Sequence, residues 1–184
     1  MQISDEVLQQ ILLERERLNE PPQPMGKASG AGIARFIVSC NDASSVLNLA
    51  KEVLTIVNNH STQRWPSLNE WSNMLPSQFI DECLPELTEA EREKLTQRWD
   101  DLSYEEKLAE ASRDDKWTLS SWLSWLAPEE REWFWWDAIL FDEPINNSHF
   151  LIEVTTLDSD FMSGALKWLF KACGAIDVLS EDDL

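Results

Sequence analysis

Two stretches of this chain are apolar on one side only, at the spacing of an α-helix, and nothing else in the sequence limits the fold as tightly. From Ser45 to Asn58 the residues Val46, Leu49, Ala50, Val53, Leu54 and Val57 recur at i, i+3, i+4, i+7, i+8 and i+11. From the cap candidates Asp158, Ser159 and Asp160 to Cys173, the face Phe161, Ala165, Trp168, Leu169 and Ala172 does the same, widened by Leu166 and Phe170. A helix with one apolar stripe must bury it against another layer. Lys167 and Lys171 fall on the second helix's other side, near its carboxyl end, where cations suit the helix dipole, and Gly174 is a natural stop.

The segments beside these helices read as strands. Ile33–Cys40 is rich in β-branched and aromatic residues, and Asn41, Asp42 and Ser44 follow as turn and cap residues. Phe134–Phe141 and His149–Leu157 form a second and third strand, joined by turn material from Asp142 to Ser148 that includes Pro144 and the sequon Asn146-Asn147-Ser148. Ala175–Leu179 is a short fourth. The order strand, helix, strand, strand, helix, strand resembles that of ferredoxin-like domains. The expected class is therefore α+β: a ferredoxin-like β-α-β-β-α-β core with an antiparallel sheet and both helices on one face. In that topology the first and third strands are central and the second lies beside the third.

Two further segments attach to this core of 33–60 and 132–180. Residues 1–20 form a helical arm with Val7, Leu8, Ile11, Leu12 and Leu18 on one face, followed by a Pro- and Gly-rich linker at 21–32. The arm's default dock is its own domain; a second subunit, giving a homo-oligomer, is the alternative. Residues 61–131 form an all-helical insertion between the first core helix and the second strand. Ser67…Glu70, Thr88…Glu91 and Ser103…Glu106 are three capping boxes, and Pro66, Pro76, Pro85 and Pro128 punctuate the segment. Residues 181–184 are an acidic tail.

Charge sorts the functional classes. With 34 acidic against 15 basic residues the net charge is −19, a field that repels phosphate backbones and anionic lipid and attracts basic proteins. Direct nucleic-acid binding is not expected. The amino terminus lacks the basic and apolar regions of a signal peptide, and no run approaches 18 apolar residues, so the expected setting is cytoplasmic with no membrane span. Cys40, Cys83 and Cys173 are isolated, and His60 and His149 have no ligand-type neighbours, so neither a metal nor any other cofactor is expected. Gly26-Lys27-Ala28-Ser29-Gly30 and Gly30-Ala31-Gly32 lack the order of phosphate-binding loops and precede a strand instead of following one. No GxSxG, HExxH or EF-hand loop occurs, and no catalytic residue is assigned.

Strand alternation marks one surface as the candidate site. The helix-covered face takes the purely apolar positions. The other holds Arg35, Asp137 and Glu153 amid Trp135, Ile139, Phe141 and Leu151. The expectation is that the inserted helices fold back over this face, with Arg35 paired to Glu153, since an open apolar patch is a liability in a monomer. The alternative is a binding surface. Asp137 and Glu153 could also be an acid–base pair, although two carboxylates with one arginine more often make an ion-pair network.

The ten tryptophans are expected mostly in the core of the helical segment, with any exposed ones suited to a partner interface. The leading expectation is a non-enzymatic acidic interaction module, of the immunity, inhibitor or DNA-mimic type, that binds a basic protein. A ligand-binding domain or enzyme using the face around Arg35, Asp137 and Glu153, and a structural subunit of a homo-oligomer, are the alternatives.

Overall fold

A computed structural model describes residues 3–21, 32–111, 116–141, 148–158 and 161–181. Residues 22–31 of the expected linker, 142–147 of the expected turn and sequon, the cap candidates Ser159 and Asp160, and 182–184 of the tail lie outside the described residues. The elements in chain order are α1 (Asp5–Leu18), β1 (Gly32–Cys40), α2 (Ala43–His60), α3 (Leu68–Met74), α4 (Ser77–Ile80), α5 (Glu89–Asp100), α6 (Tyr104–Ala111), α7 (Leu119–Leu126), β2 (Trp133–Leu140), β3 (His149–Thr156), α8 (Gly164–Ala172) and β4 (Ala175–Ser180). The class is α+β, with four antiparallel strands in the order β2-β3-β1-β4.

Local chemistry explains where the helices begin. Asp42 accepts the Ser45 N–H at the start of α2, and Ser67/Glu70 and Thr88/Glu91 close reciprocal capping boxes on α3 and α5. At α6 the Ser103 N–H donates to the Glu106 carboxylate at 2.9 Å, and the Glu106 N–H returns to Ser103 Oγ at 3.3 Å. Each box satisfies two amides that the first turn leaves orphaned. The second core helix starts later than its apolar spacing suggests, at Gly164 instead of Phe161. Its first turn abuts the end of α6, where a Cβ on Gly164 would overlap the Ala111 carbonyl. Gly174 ends that helix at φ +103°, a conformation that favours glycine.

The apolar stripes of α2 and α8 cover one face of the sheet. Phe36 and Val38 of β1, Phe150, Ile152 and Val154 of β3, and Val178 of β4 lie buried beneath Val46, Ala50, Val53, Leu166, Leu169 and Phe170. Phe150 meets Phe170 edge-on at 6.0 Å. Of the helices between α2 and β2, α3, α4 and α7 join this same apolar cluster: Trp71, Phe79 and Trp122 are buried in it, and the Trp122 Nε1–H donates to the Ala165 carbonyl at 3.0 Å. They pack on α8. The expectation that they cover the opposite sheet face is therefore corrected. Trp-rich α7 is made to lie on a helix because its stripe Leu119, Trp122, Leu123 and Leu126 is helical and wide enough to seat there.

The N-terminal arm docks on its own chain, along β2 and α2. Its anchor is Glu14, fully buried. The carboxylate accepts from the Arg131 guanidinium, from the Trp135 N–H at 2.8 Å and from Asn58 Nδ2 at 2.7 Å. Arg15 adds a 2.9 Å bond to Asn58 Oδ1, and the Asn58 amide also donates to the Ile11 carbonyl.

Candidate functional site

The sheet face turned away from α2 and α8 carries side chains in bands. Register places Ile139 opposite Leu151, Leu151 opposite Ile37, and Ile37 opposite Leu179. Directly opposed residues share a face, so these four form an aliphatic row across all four strands, about 14 Å wide at the usual strand spacing. None of the four belongs to the buried core, and Leu179 is 40% exposed. One register step away, Asp137 opposes Glu153 and Glu153 opposes Arg35. Arg35 then reaches past β1 to Glu181, at 3.7 Å. The next step on the other side brings His149, Ser39 and Asp177 into line, with Phe141 following β2 at 49% exposure.

The charged row has an ordered interior and an open rim. Arg35 Nε donates to Glu153 Oε1 at 2.8 Å, and the hydrogen bond and charge of Glu153, with a smaller contribution from Glu181, hold the guanidinium pKa above its ordinary value. Glu153 is only 1% exposed, and its Oε2 is buried without a hydrogen-bond partner among the described residues. Asp137, also buried, accepts the Ala138 N–H at 2.8 Å through Oδ1. Its charge raises the pKa of Lys51 on α2, although burial outweighs it and leaves that ammonium below its ordinary value. Among the described residues, no three His, Cys, Asp or Glu side chains gather as a metal site would need. No helix among them is long and apolar enough to cross a membrane.

Of the five residues that alternation singled out, the structure brings Arg35, Asp137 and Glu153 into one row and sets Phe141 at the edge of the same face. Trp135 is a correction. The register shifts between Trp135 and Asp137, leaving Trp136 as an extra residue in β2. A bulge of this kind reverses the alternation on one side of it. Trp135 therefore opposes Val154 and packs toward Phe170 at 6.4 Å, in the core beneath the helices.

The residues that finish this surface come from the arm and were not read from sequence. The Arg17 guanidinium lies 3.9 Å over the Trp136 ring. Gln10 pairs with Thr155 Oγ1 at 2.9 Å, closing the Thr155 end of the face. Their only sequence signal is that the arm's polar side carries Gln and Arg at helical spacing. That spacing does not say what they meet. No family model, curated protein or solved structure matches the chain.

Proposed function

We propose that this chain is a non-enzymatic acidic protein-interaction module, whose open sheet face receives an apolar segment flanked by Lys or Arg from a basic protein partner. The observation that carries the reading is the half-exposed row Ile139, Leu151, Ile37 and Leu179, bordered by Asp137, Glu153 and Glu181 on one side and Asp177 on the other. An amphipathic element laid on such a band buries its apolar side on the aliphatic row and brings its cations to Glu181 and Asp177, the exposed carboxylates of the two borders. The net charge of −19 favours the same class of partner and speeds its encounter. In fold terms we read the core as ferredoxin-like. The order β2-β3-β1-β4, with α2 and α8 in the two crossovers, supports that reading. The fold alone selects no function.

A photo-reactive amino acid at Leu179, with a control at the exposed Leu12 of α1, tests the site. The expected result is a basic protein crosslinked from position 179, in an interaction that weakens as salt rises. Salt-indifferent binding, an acidic partner, or crosslinks from position 12 alone would sink the proposal.

The buried Glu153 Oε2 supports a second reading, in which a small ligand with a hydrogen-bond donor or a positive charge sits over Glu153 and Asp137. A thermal-shift screen of metabolites and divalent metals separates the two, because any ligand of the native state raises its stability. Silence across the screen removes this second reading.

A further inference from the structure

A second concavity lies within the helical segment, between α5, α6 and α7. It measures about 700 Å³, within the range of sites that hold small ligands. Three half-buried indoles line it: Trp99 and Trp117 each meet Trp125 edge-on, at 5.9 Å and 6.3 Å. Leu84, Leu95 and Leu102 complete the apolar wall. α5 has no buried residue at all, and Leu95 is 51% exposed. A helix whose apolar residues Leu95 and Trp99 are left this open is packed well below what its pattern supports.

The charge around the groove is close to balanced, unlike that of the chain as a whole. In a chain where acids outnumber bases 34 to 15, its lining among the described residues has three cations, Arg92, Arg98 and Lys116, against two acids, Glu110 and Glu130. Arg98 pairs with Glu110 at 2.8 Å, and Lys116 with Glu82 at 3.1 Å. Arg92 has only a 3.5 Å bond to the Leu87 carbonyl among the bonds of the described residues. A basic helix gains little here, because Arg98 and Lys116 already hold Glu110 and Glu82, and an acidic protein is repelled by the field of the whole chain. A small ligand with an apolar body and one carboxylate fits an apolar wall with one lightly bonded guanidinium at its edge, since salt screens the distant acidic charges while the contact pair is direct.

We infer that this groove binds a medium-chain carboxylate, its alkyl chain against Trp99, Trp117 and Trp125 and its head group on Arg92. Guanidinium–carboxylate bonds are among the stronger hydrogen bonds, so the head group fixes the orientation that the apolar wall leaves free. The inference is independent of the sheet face, since different elements form it.

The test is calorimetric titration of the full chain with decanoate, followed in parallel by indole emission. Saturable one-site binding is expected, with decanol weaker by about tenfold for loss of the charged contact. Arg92→Ala should weaken decanoate by a similar factor and leave decanol unchanged. Leu95→Asp, at an exposed position, should weaken both, and Leu179→Asp on the sheet should weaken neither. Failure of decanoate to saturate, equal affinity for decanol, or loss of binding through Leu179→Asp in place of Leu95→Asp would each overturn it.

Discussion

Glu14 holds three elements together through one carboxylate. It accepts from Arg131 just before β2, from the backbone of Trp135 within it, and from Asn58 on α2. Removing one partner of a buried ion pair strands the other without solvent, at a cost of about 3–5 kcal/mol. Glu14→Ala is therefore expected to lower stability by about that amount in chemical denaturation. A loss below about 1 kcal/mol would show that water replaces the carboxylate without difficulty. The thiols make the opposite kind of statement. Burial, with help from Glu86, pushes Cys83 up to about 11, and burial raises Cys40 and Cys173 as well. A raised thiol pKa leaves little thiolate at pH 8, and thiolate is the reactive form. All three should react slowly with a disulfide reagent in the native state and at once in guanidinium. Fast native labelling of all three thiols would contradict their burial.

At the scale of elements, the capping boxes tie helix starts to pH. Arg64, then the Ser67 amide and hydroxyl, hold the Glu70 carboxyl down at about 2. Hydrogen bonds from Thr88 and Ser103 lower Glu91 and Glu106. A depressed carboxylate contributes stability above its unfolded value, and that contribution is lost as the pH falls through the folded one. The starts of α3, α5 and α6 should thus loosen as pH falls from about 4.5 toward 2, with α3 holding longest. Site-resolved carboxyl titration by NMR checks the order; Glu70 titrating with or before Glu91 would refute it.

These boxes were legible in sequence because cap and third residue lie three apart, within one turn. Strand alternation served equally well for Arg35, Glu153, Ile139 and Leu151. It failed at Trp135, because one extra residue in β2 inverts the faces and composition does not announce a bulge. Glu14, Asn58 and Arg131 were invisible for another reason: their bonds span 44 and 117 positions.

For the whole molecule, α3, α4 and α7 are part of the core. Trp71, Phe79 and Trp122 are fully buried, and Trp122 bonds the backbone of α8. Deleting residues 60–131 and joining Asn59 to Glu132 with a short flexible linker would expose the outer side of α8 and take Arg131 from Glu14. The expected product aggregates, by light scattering. A soluble mutant with a cooperative melt would show the segment to be an appendage.

The two borders of the sheet differ. Along β2 the arm lies against the strand, and Glu14 takes the Trp135 N–H that another strand would otherwise seek. Beyond β4 no further strand pairs among the described residues. A ladder that can grow in one direction only is self-limiting. Two copies meeting through β4 make one continuous eight-stranded sheet whose outer borders are both the guarded β2 side. A strand offered by another protein fills the single vacancy and ends the series. With β4 open among the described residues and the arm against β2, edge pairing favours a closed pair or one guest over the open-ended stacking that unguarded sheets risk.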